Sequence, residues 1–252
     1  MDHDHDRRYE SEREFHNATY SAGSRGVSEK YYSISGYSWD DYYDILWSRC
    51  KGKQVLEYGC GTGSAAFLLA EHGAIVTGID ISEMAIRIAQ NTADELQLKV
   101  EFCCMNTEST TFEDGRFDLI CGTGVLHHLD LDRAYGEVAR ILAPEGSAVF
   151  VEPMGHNPFI NLYRALTPSL RSKDEHPLKL YDLEKAKEYF QSVKIEYYYL
   201  FPLLALPFRR MPFFGQLLDI LNSLDDGLFR IAPWIGRYAW HVLLEFSGPR
   251  NK

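Results

Sequence analysis

Glycines at alternate positions mark the first stretch of the sequence that could bind a ligand. Gly59, Gly61 and Gly63 follow a short apolar run and precede a helical pattern, so a tight turn here would let the backbone approach a ligand closely. The following helix presents free N–H groups and a positive dipole end to an electronegative group. Asp80 ends the next apolar run, where a carboxylate can accept hydrogen bonds from two ribose hydroxyls. The pattern predicts a nucleotide-like ligand.

Two histidines and a glutamate follow later strands of the same pattern. His127 and His128 come after the fourth predicted strand, where one imidazole could take a proton from a hydroxyl or thiol; the alternative is that both are structural. Glu152 ends the fifth predicted strand and His156 follows four residues later, so either could orient an acceptor at the same crevice. Together with residues 174–176 (Asp-Glu-His) they could instead hold a metal, but no spacing is diagnostic. We therefore expect no metal.

Short β-rich runs alternate with helical patterns between Gln54 and Pro153, which predicts βαβ units and a parallel sheet. The predicted strands are Gln54–Tyr58, Ala74–Asp80, Val100–Met105, Phe117–Gly122, Ser147–Glu152, Val193–Leu200 and Tyr238–Phe246. The predicted helices are Ser64–His72, Ser82–Leu96, Leu131–Leu142 and Asp182–Phe190, with a turn at residues 144–146 (Pro-Glu-Gly). The polar side chains discussed above, such as those of Asp80, His127 and Glu152, are therefore expected at the carboxyl ends of strands.

Composition and charge exclude several classes of function. The net charge is −10 and the isoelectric point is about 5.4, without a basic cluster, so nucleic acid is not an expected partner. The five cysteines have irregular spacing, which favours reduced thiols and a cytoplasmic protein. The polar N-terminus does not predict export, and the apolar stretch Leu200–Leu221 contains prolines and charges that argue against a membrane span.

The glycine turn and Asp80 alone would also fit a dinucleotide-dependent oxidoreductase, but that fingerprint requires a glycine where this chain has Ser64. Five motifs in order make the resemblance more specific. They are Val55–Gly63, Gly78–Ser82, Phe117–Ile120, Val125–Leu129 and Arg140–Gly146. With these motifs, the chain resembles class I S-adenosylmethionine-dependent methyltransferases of the small-molecule type (methyltransferase type 11-like). The resemblance covers about residues 51–152 and is weaker outside them.

The resemblance implies an α/β fold: a Rossmann-like, doubly wound, mostly parallel sheet of seven strands with an N-terminal lid and helical cap insertions. It implies S-adenosyl-L-methionine as cofactor and S-adenosyl-L-homocysteine as product. Glu57 and the loop backbone would hold the amino-acid end, Asp80 the ribose, Ile81 and Asn106 the adenine, although many relatives have aspartate where Asn106 stands. The full set of expected cofactor-binding residues is Glu57, Gly59, Cys60, Gly61, Gly63, Asp80, Ile81, Asn106, Thr107, Gly122 and Tyr32.

We expect residues 1–49 to form a lid and residues 50–252 a cofactor-binding domain with cap insertions at about 154–180 and 201–235. Tyr32 represents the aromatic residues of the lid, and it is expected to contact cofactor or substrate. Aromatic residues of the second insertion favour an apolar or aromatic acceptor; they could equally form the cap's own core or a homodimer face.

The predicted function is transfer of a methyl group to a small organic acceptor, with oxygen favoured over nitrogen or sulfur. In the resemblance the first histidine of the pair faces the acceptor, so His127 is the expected base, with Glu152 as its catalytic partner and His128 and His156 as substrate contacts. The alternatives are a protein of the same fold that binds S-adenosylmethionine without transferring its methyl group, and a nicotinamide-dependent oxidoreductase.

Overall fold

A single seven-stranded sheet organises the chain in the computed structural model, which describes residues 3–21, 33–167, 172 and 175–250. The strands are β1 (Gln54–Tyr58), β2 (Ile75–Asp80), β3 (Val100–Cys104), β4 (Phe117–Thr123), β5 (Leu142–Pro153), β6 (Phe190–Tyr198) and β7 (His241–Pro249). Their order is β3-β2-β1-β4-β5-β7-β6. The first five strands pair in parallel, whereas β7 is antiparallel to both β5 and β6. The predicted doubly wound α/β fold is confirmed.

The fifth strand is longer than predicted because it continues through the predicted turn. Phe117 pairs with Leu142 and Leu119 pairs with Ser147, so β5 advances five residues while β4 advances two. The residues Pro144, Glu145 and Gly146 are therefore accommodated as a bulge rather than as a loop before the strand.

Helices pack on both faces of the sheet, and two of the described helices come before its first strand in the chain. Their bounds are α1 (His3–Ser21), α2 (Gly36–Cys50), α3 (Ser64–Glu71), α4 (Glu83–Leu96), α5 (Leu131–Ile141), α6 (Pro158–Leu166), α7 (Leu180–Lys185) and α8 (Phe214–Ile231). Short 3₁₀ helices occupy Leu126–His128, Ala186–Glu188, Pro202–Phe208 and Pro233–Tyr238. The sequence predicted α3, α4 and α5 within two residues, but it predicted neither α1 nor α2.

One predicted helix start was wrong. Asp182 was expected to begin a helix, but α7 begins at Leu180 and Asp182 lies in its first turn. The carboxylate of Asp182 accepts a hydrogen bond from the backbone N–H of Lys179, 2.8 Å away. An acidic residue at the third helical position can accept a hydrogen bond from the residue just before the helix, which is Lys179 here. Acidic residues are also common directly before a helix, so the sequence alone did not distinguish the two positions.

Alternate residues of the central strands enter two separate cores. Val55 packs with α2 and α3 on one face, and Leu56 packs with α5 on the other. Both residues are fully buried. Burial on both faces explains why Val55, Leu56 and Tyr58 of β1 are all apolar or aromatic, and the bounds of the strand were predicted to the residue.

Helices lie in the described parts of both excursions outside the alternation, and their role as caps stays a prediction. Residues 154–180 contain α6, and residues 201–235 contain α8 between two 3₁₀ helices. Asp225 fixes α8, because its buried carboxylate accepts hydrogen bonds from the backbone N–H groups of Leu200 and Phe201 at 2.8 and 3.0 Å. The hydroxyl of Tyr37 donates to Asp219 at 2.9 Å and so joins α8 to α2.

Two further features concern the length of the helices and the state of the cysteines. None of the helices within the described ranges is long and apolar enough to cross a membrane. All five cysteines are free thiols.

Candidate active site

The glycine turn lies between β1 and α3, as its spacing predicted. Its three glycines have positive φ angles of 72°, 51° and 86° at Gly59, Gly61 and Gly63. A Cβ on Gly59 would lie 2.5 Å from Val125 Cγ2, so no side chain fits between this turn and the segment after β4. The close approach brings the glycine turn against the residues that lead into His127.

A buried carboxylate closes the back of this turn. Glu57 is 6% exposed and accepts hydrogen bonds from the backbone N–H groups of Ala65 (3.3 Å) and Ala66 (2.8 Å), at the start of α3. Burial raises the pKa of Glu57 to about 8, and the charge of Asp80 adds to the rise, although the two N–H groups oppose it. A cationic or hydrogen-donating ligand would relieve this unfavourable burial of negative charge.

The carboxylate of Asp80 has a structural role, besides the ribose contact that was predicted for it. Its carboxylate accepts hydrogen bonds from the backbone N–H groups of Gly61 and Ser82, each at 2.8 Å. These bonds tie the end of β2 to the glycine turn. Each oxygen keeps a further lone pair for a ligand hydroxyl, so binding of a ribose here stays a prediction.

The other expected cofactor-binding residues lie at neighbouring strand ends or inside the sheet. Asn106 follows β3, and its side-chain oxygen already accepts a hydrogen bond from the backbone N–H of Glu108 at 2.9 Å. The backbone oxygen of Thr107 accepts one from the buried Tyr58 hydroxyl. Ile81 is half-buried after β2. Their contacts with an adenine stay predictions.

Three residues of the expected set need separate comment. A Cβ on Gly122 would lie 2.7 Å from the backbone oxygen of Tyr58, so packing within the sheet already requires a glycine there. Cys60 is buried in the turn, where burial raises the pKa of its thiol well above the ordinary value. Tyr32 lies outside the described residues.

A histidine and a carboxylate form a buried pair where β4 and β5 end. His127 Nδ1 lies 2.7 Å from Glu152 Oε2. Glu152 also accepts hydrogen bonds from the backbone N–H groups of Val125 and Leu126, both at 2.9 Å, and a longer one from that of His127 at 3.4 Å. Glu152 is 1% exposed and His127 is 7% exposed. Neighbouring strand ends therefore hold the imidazole in one orientation.

The protonation of this pair follows from its surroundings. Burial lowers the pKa of His127 well below its usual value, and the charge of His128 lowers it further, so the imidazole is neutral near pH 7. Burial raises the pKa of Glu152 to about 7, against the three backbone N–H groups that lower it. When Glu152 is ionised it accepts the proton on Nδ1, which leaves the Nε2 lone pair of His127 available.

The side chain of Glu152 is inaccessible and hydrogen-bonds to His127 and to the backbone before it. We therefore expect Glu152 to act through His127, and its part in catalysis stays a prediction. The Nε2 of His156 accepts the backbone N–H of Leu180 at 3.3 Å. That contact leaves His156 with a structural partner, and its role in substrate binding stays a prediction.

Helix α1 contributes residues that sequence reasoning missed. Asn17 Oδ1 accepts hydrogen bonds from the Ser82 hydroxyl at 2.6 Å and from the backbone N–H of Met84 at 3.3 Å. Arg8 donates to the backbone oxygen of His128 at 3.1 Å and forms an ion pair with Glu108. Helix α1 therefore spans the ends of β2, β3 and β4. The role of this segment as a lid stays a prediction.

Two residues of α1 contact the second histidine of the pair. Glu12 Oε2 lies 3.2 Å from His128 Nδ1 and 3.4 Å from His16 Nε2. Burial acts to raise the pKa of Glu12, but His128, His16 and Ser172 beside it lower that pKa well below the ordinary value. The four-residue spacing of Glu12 and His16 places both on one helix face, a signal that the sequence contained.

Comparison with known proteins agrees with this geometry. A family model described as a methyltransferase domain matches residues 56–150. A ubiquinone biosynthesis O-methyltransferase of Coxiella burnetii is 42% identical over 101 residues, 40% of this chain and 43% of the relative. The structure of Haemonchus contortus phosphoethanolamine N-methyltransferase 2 has a TM-score of 0.60 at 19% identity, covering 84% of this chain and 53% of that one. The cyclase SpnF has a TM-score of 0.55 at 22% identity, covering 84% and 81%.

The sheet order and the matched segment point to one class of protein. Residues 56–150 match a methyltransferase domain, and the order of the strands is that of the class I S-adenosylmethionine-dependent methyltransferase fold, as the sequence motifs predicted. Within that class, the matched segment is similar to the ubiquinone biosynthesis O-methyltransferases. The chain spans less than half the length of the Coxiella relative, and the two structural comparisons bear on the fold alone.

Proposed function

We propose that this protein transfers the methyl group of S-adenosyl-L-methionine to a hydroxyl oxygen of a small organic acceptor and releases S-adenosyl-L-homocysteine. The observation that carries the proposal is the His127–Glu152 pair beside the glycine turn. An imidazole held by Nδ1, with Nε2 available, suits removal of a hydroxyl proton. Amine acceptors depend less on such a base.

The residues of the cradle fit the proposed cofactor. The carboxyl groups of Glu57 and Asp80 lie beside the glycine turn, and an ammonium or sulfonium group there would favour the ionised form of Glu57. When bound, the cofactor supplies an electrophilic methyl group. The protein's own part is to hold the acceptor oxygen in line with that group, which can contribute about 7–11 kcal/mol, and to accept its proton at His127, which contributes about 10²–10⁴ in rate.

The name of one relative supports an oxygen acceptor, and exposed side chains of the second cap support an apolar one. The Coxiella relative is named for O-methylation in ubiquinone biosynthesis. Apolar side chains are exposed on the second cap, including Phe208, Phe213 and Trp234. Such side chains suit an apolar or aromatic acceptor, so we propose a phenol-like substrate.

The test is methyl transfer from labelled S-adenosylmethionine to a matched panel of phenols, thiols and amines. We expect the label to appear on phenols. We expect His127→Ala to reduce the turnover number by about 10²–10⁴, with little change in the affinity for S-adenosylhomocysteine. A transfer rate unchanged in His127→Ala would remove its role as base. A wild-type protein that binds S-adenosylhomocysteine but labels none of the panel would contradict the proposed reaction.

A second candidate is a protein that binds S-adenosylmethionine without transferring its methyl group. The fold similarity to the cyclase SpnF supports keeping this candidate. It predicts tight cofactor binding and no labelled product from any acceptor. The third candidate, a nicotinamide-dependent oxidoreductase, predicts calorimetric binding of NAD and none of S-adenosylhomocysteine.

A further inference from the structure

Three side chains converge where α1 meets the turn after β4. Glu12 and His16 come from one face of α1, and His128 comes from the 3₁₀ helix after β4. Their ligand atoms (one carboxylate oxygen and two imidazole nitrogens) all lie within 4.8 Å of one another. Glu12 is 5% exposed, and the two histidines are half-buried.

The carboxylate of Glu12 is buried beside three polar side chains, those of His128, His16 and Ser172, none of which meets hydrogen-bond geometry with it. Within the described ranges, neither of its side-chain oxygens receives a hydrogen bond of acceptable geometry. The imidazole nitrogens of His128 and His16 lie 3.2 and 3.4 Å from Oε2, so the three groups face each other but are misaligned as donors and acceptors. A buried charged oxygen left in this way is costly unless another group binds it.

The two distances from Glu12 Oε2, 3.2 and 3.4 Å, match edges of a metal coordination shell. A tetrahedral zinc centre with bonds of about 2.0–2.1 Å has edges of about 3.3–3.4 Å between ligand atoms. Two imidazole nitrogens and one carboxylate oxygen are a ligand set that zinc and other divalent first-row ions accept. Three protein ligands leave a fourth position open, as in metal centres that bind a substrate or water.

We propose that Glu12, His16 and His128 bind one divalent transition-metal ion, with Zn²⁺ as the best match. The ring centroid of His128 lies 4.1 Å from that of His127, so the ion would lie beside the proposed base. There the open position would take the acceptor oxygen and stabilise its deprotonated form. This role rests on the proposed function, whereas binding of the ion does not.

The ligand set differs from the one weighed on sequence spacing. His156 is hydrogen-bonded to Leu180, and Glu175 pairs with Arg164 at 2.5 Å. Glu175 still lies within reach of His127 and His128 as a second group of possible ligands. Its ion pair with Arg164 makes it a weaker candidate than Glu12, and a Glu175→Gln variant tests this directly.

The experiment measures metal binding directly on the full-length protein after removal of bound ions with a chelator. We expect one Zn²⁺ per chain by calorimetry and elemental analysis, and visible absorption of a tetrahedral centre with Co²⁺. Glu12→Gln and His16→Ala should each weaken binding at least about tenfold. Glu14→Gln, on the exposed face of the same helix, is the matched control and should leave the affinity unchanged.

Two results would overturn the proposal. One is no stoichiometric Zn²⁺ or Co²⁺ binding to a wild-type protein that still binds S-adenosylhomocysteine. The other is equal metal affinity in Glu12→Gln, His16→Ala and Glu14→Gln. Metal binding by the named residues without methyl transfer would contradict the proposed function alone, and methyl transfer by metal-free protein at an unchanged rate would contradict the role of the ion in it.

Discussion

At the residue scale, the position of one proton on His127 decides whether its Nε2 can accept a proton from a substrate. Ionised Glu152 keeps that proton on Nδ1, 2.7 Å from its own oxygen. Two backbone N–H groups, from Val125 and Leu126, bind the other carboxylate oxygen and prevent the carboxylate from rotating away. The charge of Glu152 and its orientation are therefore both needed.

The first prediction concerns Glu152→Gln. An amide has one accepting oxygen, which must face either the N–H groups of Val125 and Leu126 or the proton on Nδ1. In the first arrangement its NH₂ group faces Nδ1 and forces the proton onto Nε2, which abolishes the base. We expect the turnover number to fall by about 10²–10⁴ while S-adenosylhomocysteine affinity changes little. Steady-state kinetics and calorimetry measure the two quantities, and an unchanged turnover number would refute the positioning role.

The second prediction concerns pH. Because the pKa of Glu152 is raised to about 7 by burial, its carboxyl group is protonated below that pH and donates to Nδ1, so Nε2 carries the other proton. Above that pH the carboxylate accepts from Nδ1 and frees Nε2. The turnover number should therefore rise as pH increases through about 7 for a hydroxyl acceptor. A profile that stays flat across this range would count against the pair.

The third prediction concerns Glu57, whose pKa is raised to about 8 mainly by burial. In the free protein at pH 7 this carboxyl group is protonated, and a cationic ligand favours its ionised form. Binding of S-adenosylhomocysteine should therefore release a proton, and affinity should increase as pH rises toward 8. Calorimetry in two buffers of different ionisation enthalpy measures the release.

A Glu57→Gln variant is the control for this proton linkage. It should bind more weakly and release no proton, and equal release in both proteins would assign the effect to another group. The same raised pKa predicts that the free protein loses stability as pH rises from about 4.5 to about 8, because in this range the unfolded chain releases the proton that the buried group retains.

At the element scale, the glycine turn requires both an unusual backbone and empty space. The fourth prediction is that Gly59→Ala weakens S-adenosylhomocysteine binding at least tenfold. Its φ of 72° is unfavourable for alanine, and the new Cβ would lie 2.5 Å from Val125 Cγ2. Strain of about 1–3 kcal/mol is expected at such a position. Gly215→Ala is the matched control, because nothing lies within 4 Å of its Cβ; equal affinities in the two variants would contradict the argument.

The fifth prediction concerns how α8 is held. Asp225→Ala leaves the backbone N–H groups of Leu200 and Phe201 without their buried acceptor. The free energy of unfolding should fall by about 1–3 kcal/mol, and amide hydrogen exchange in α8 should accelerate. Asp226 is the exposed neighbour, and Asp226→Ala should change neither quantity. Equal effects of the two substitutions would show that the carboxylate of Asp225 is not what fixes the helix.

At the scale of the whole molecule, the elements that the sequence predicted best are those whose environment is uniform. The strand β1 is buried on both faces, and its short, mainly apolar run before the glycines defined it to the residue. Helix α1 was missed because its sequence is mostly polar and follows no clear apolar stripe. Helix α2 was missed although Tyr42, Leu46 and Cys50 form a buried stripe at intervals of four residues. Their helical state depends on what they pack against.

The candidate site also has one part that the sequence predicted and one part that it did not. The residues at strand ends, such as Glu57, Asp80 and His127, follow from the alternation of strands and helices, because parallel strands end at one edge. The partners of those residues do not follow from it. Arg8 and His128 are 120 positions apart in the chain, and only the folded arrangement of α1 brings them together. A homodimer through the apolar cap stays a prediction.

The placement of β7 has a consequence for how the protein is made. The strand β7 lies between β5 and β6, although it is synthesised after both of them. Until residues 241–249 have left the ribosome, β5 lacks one neighbour and β6 lacks the strand with which it pairs among the described residues. Both strands then present unpaired N–H and C=O groups to other nascent chains. A chain interrupted in this interval is the form of the protein most exposed to aggregation.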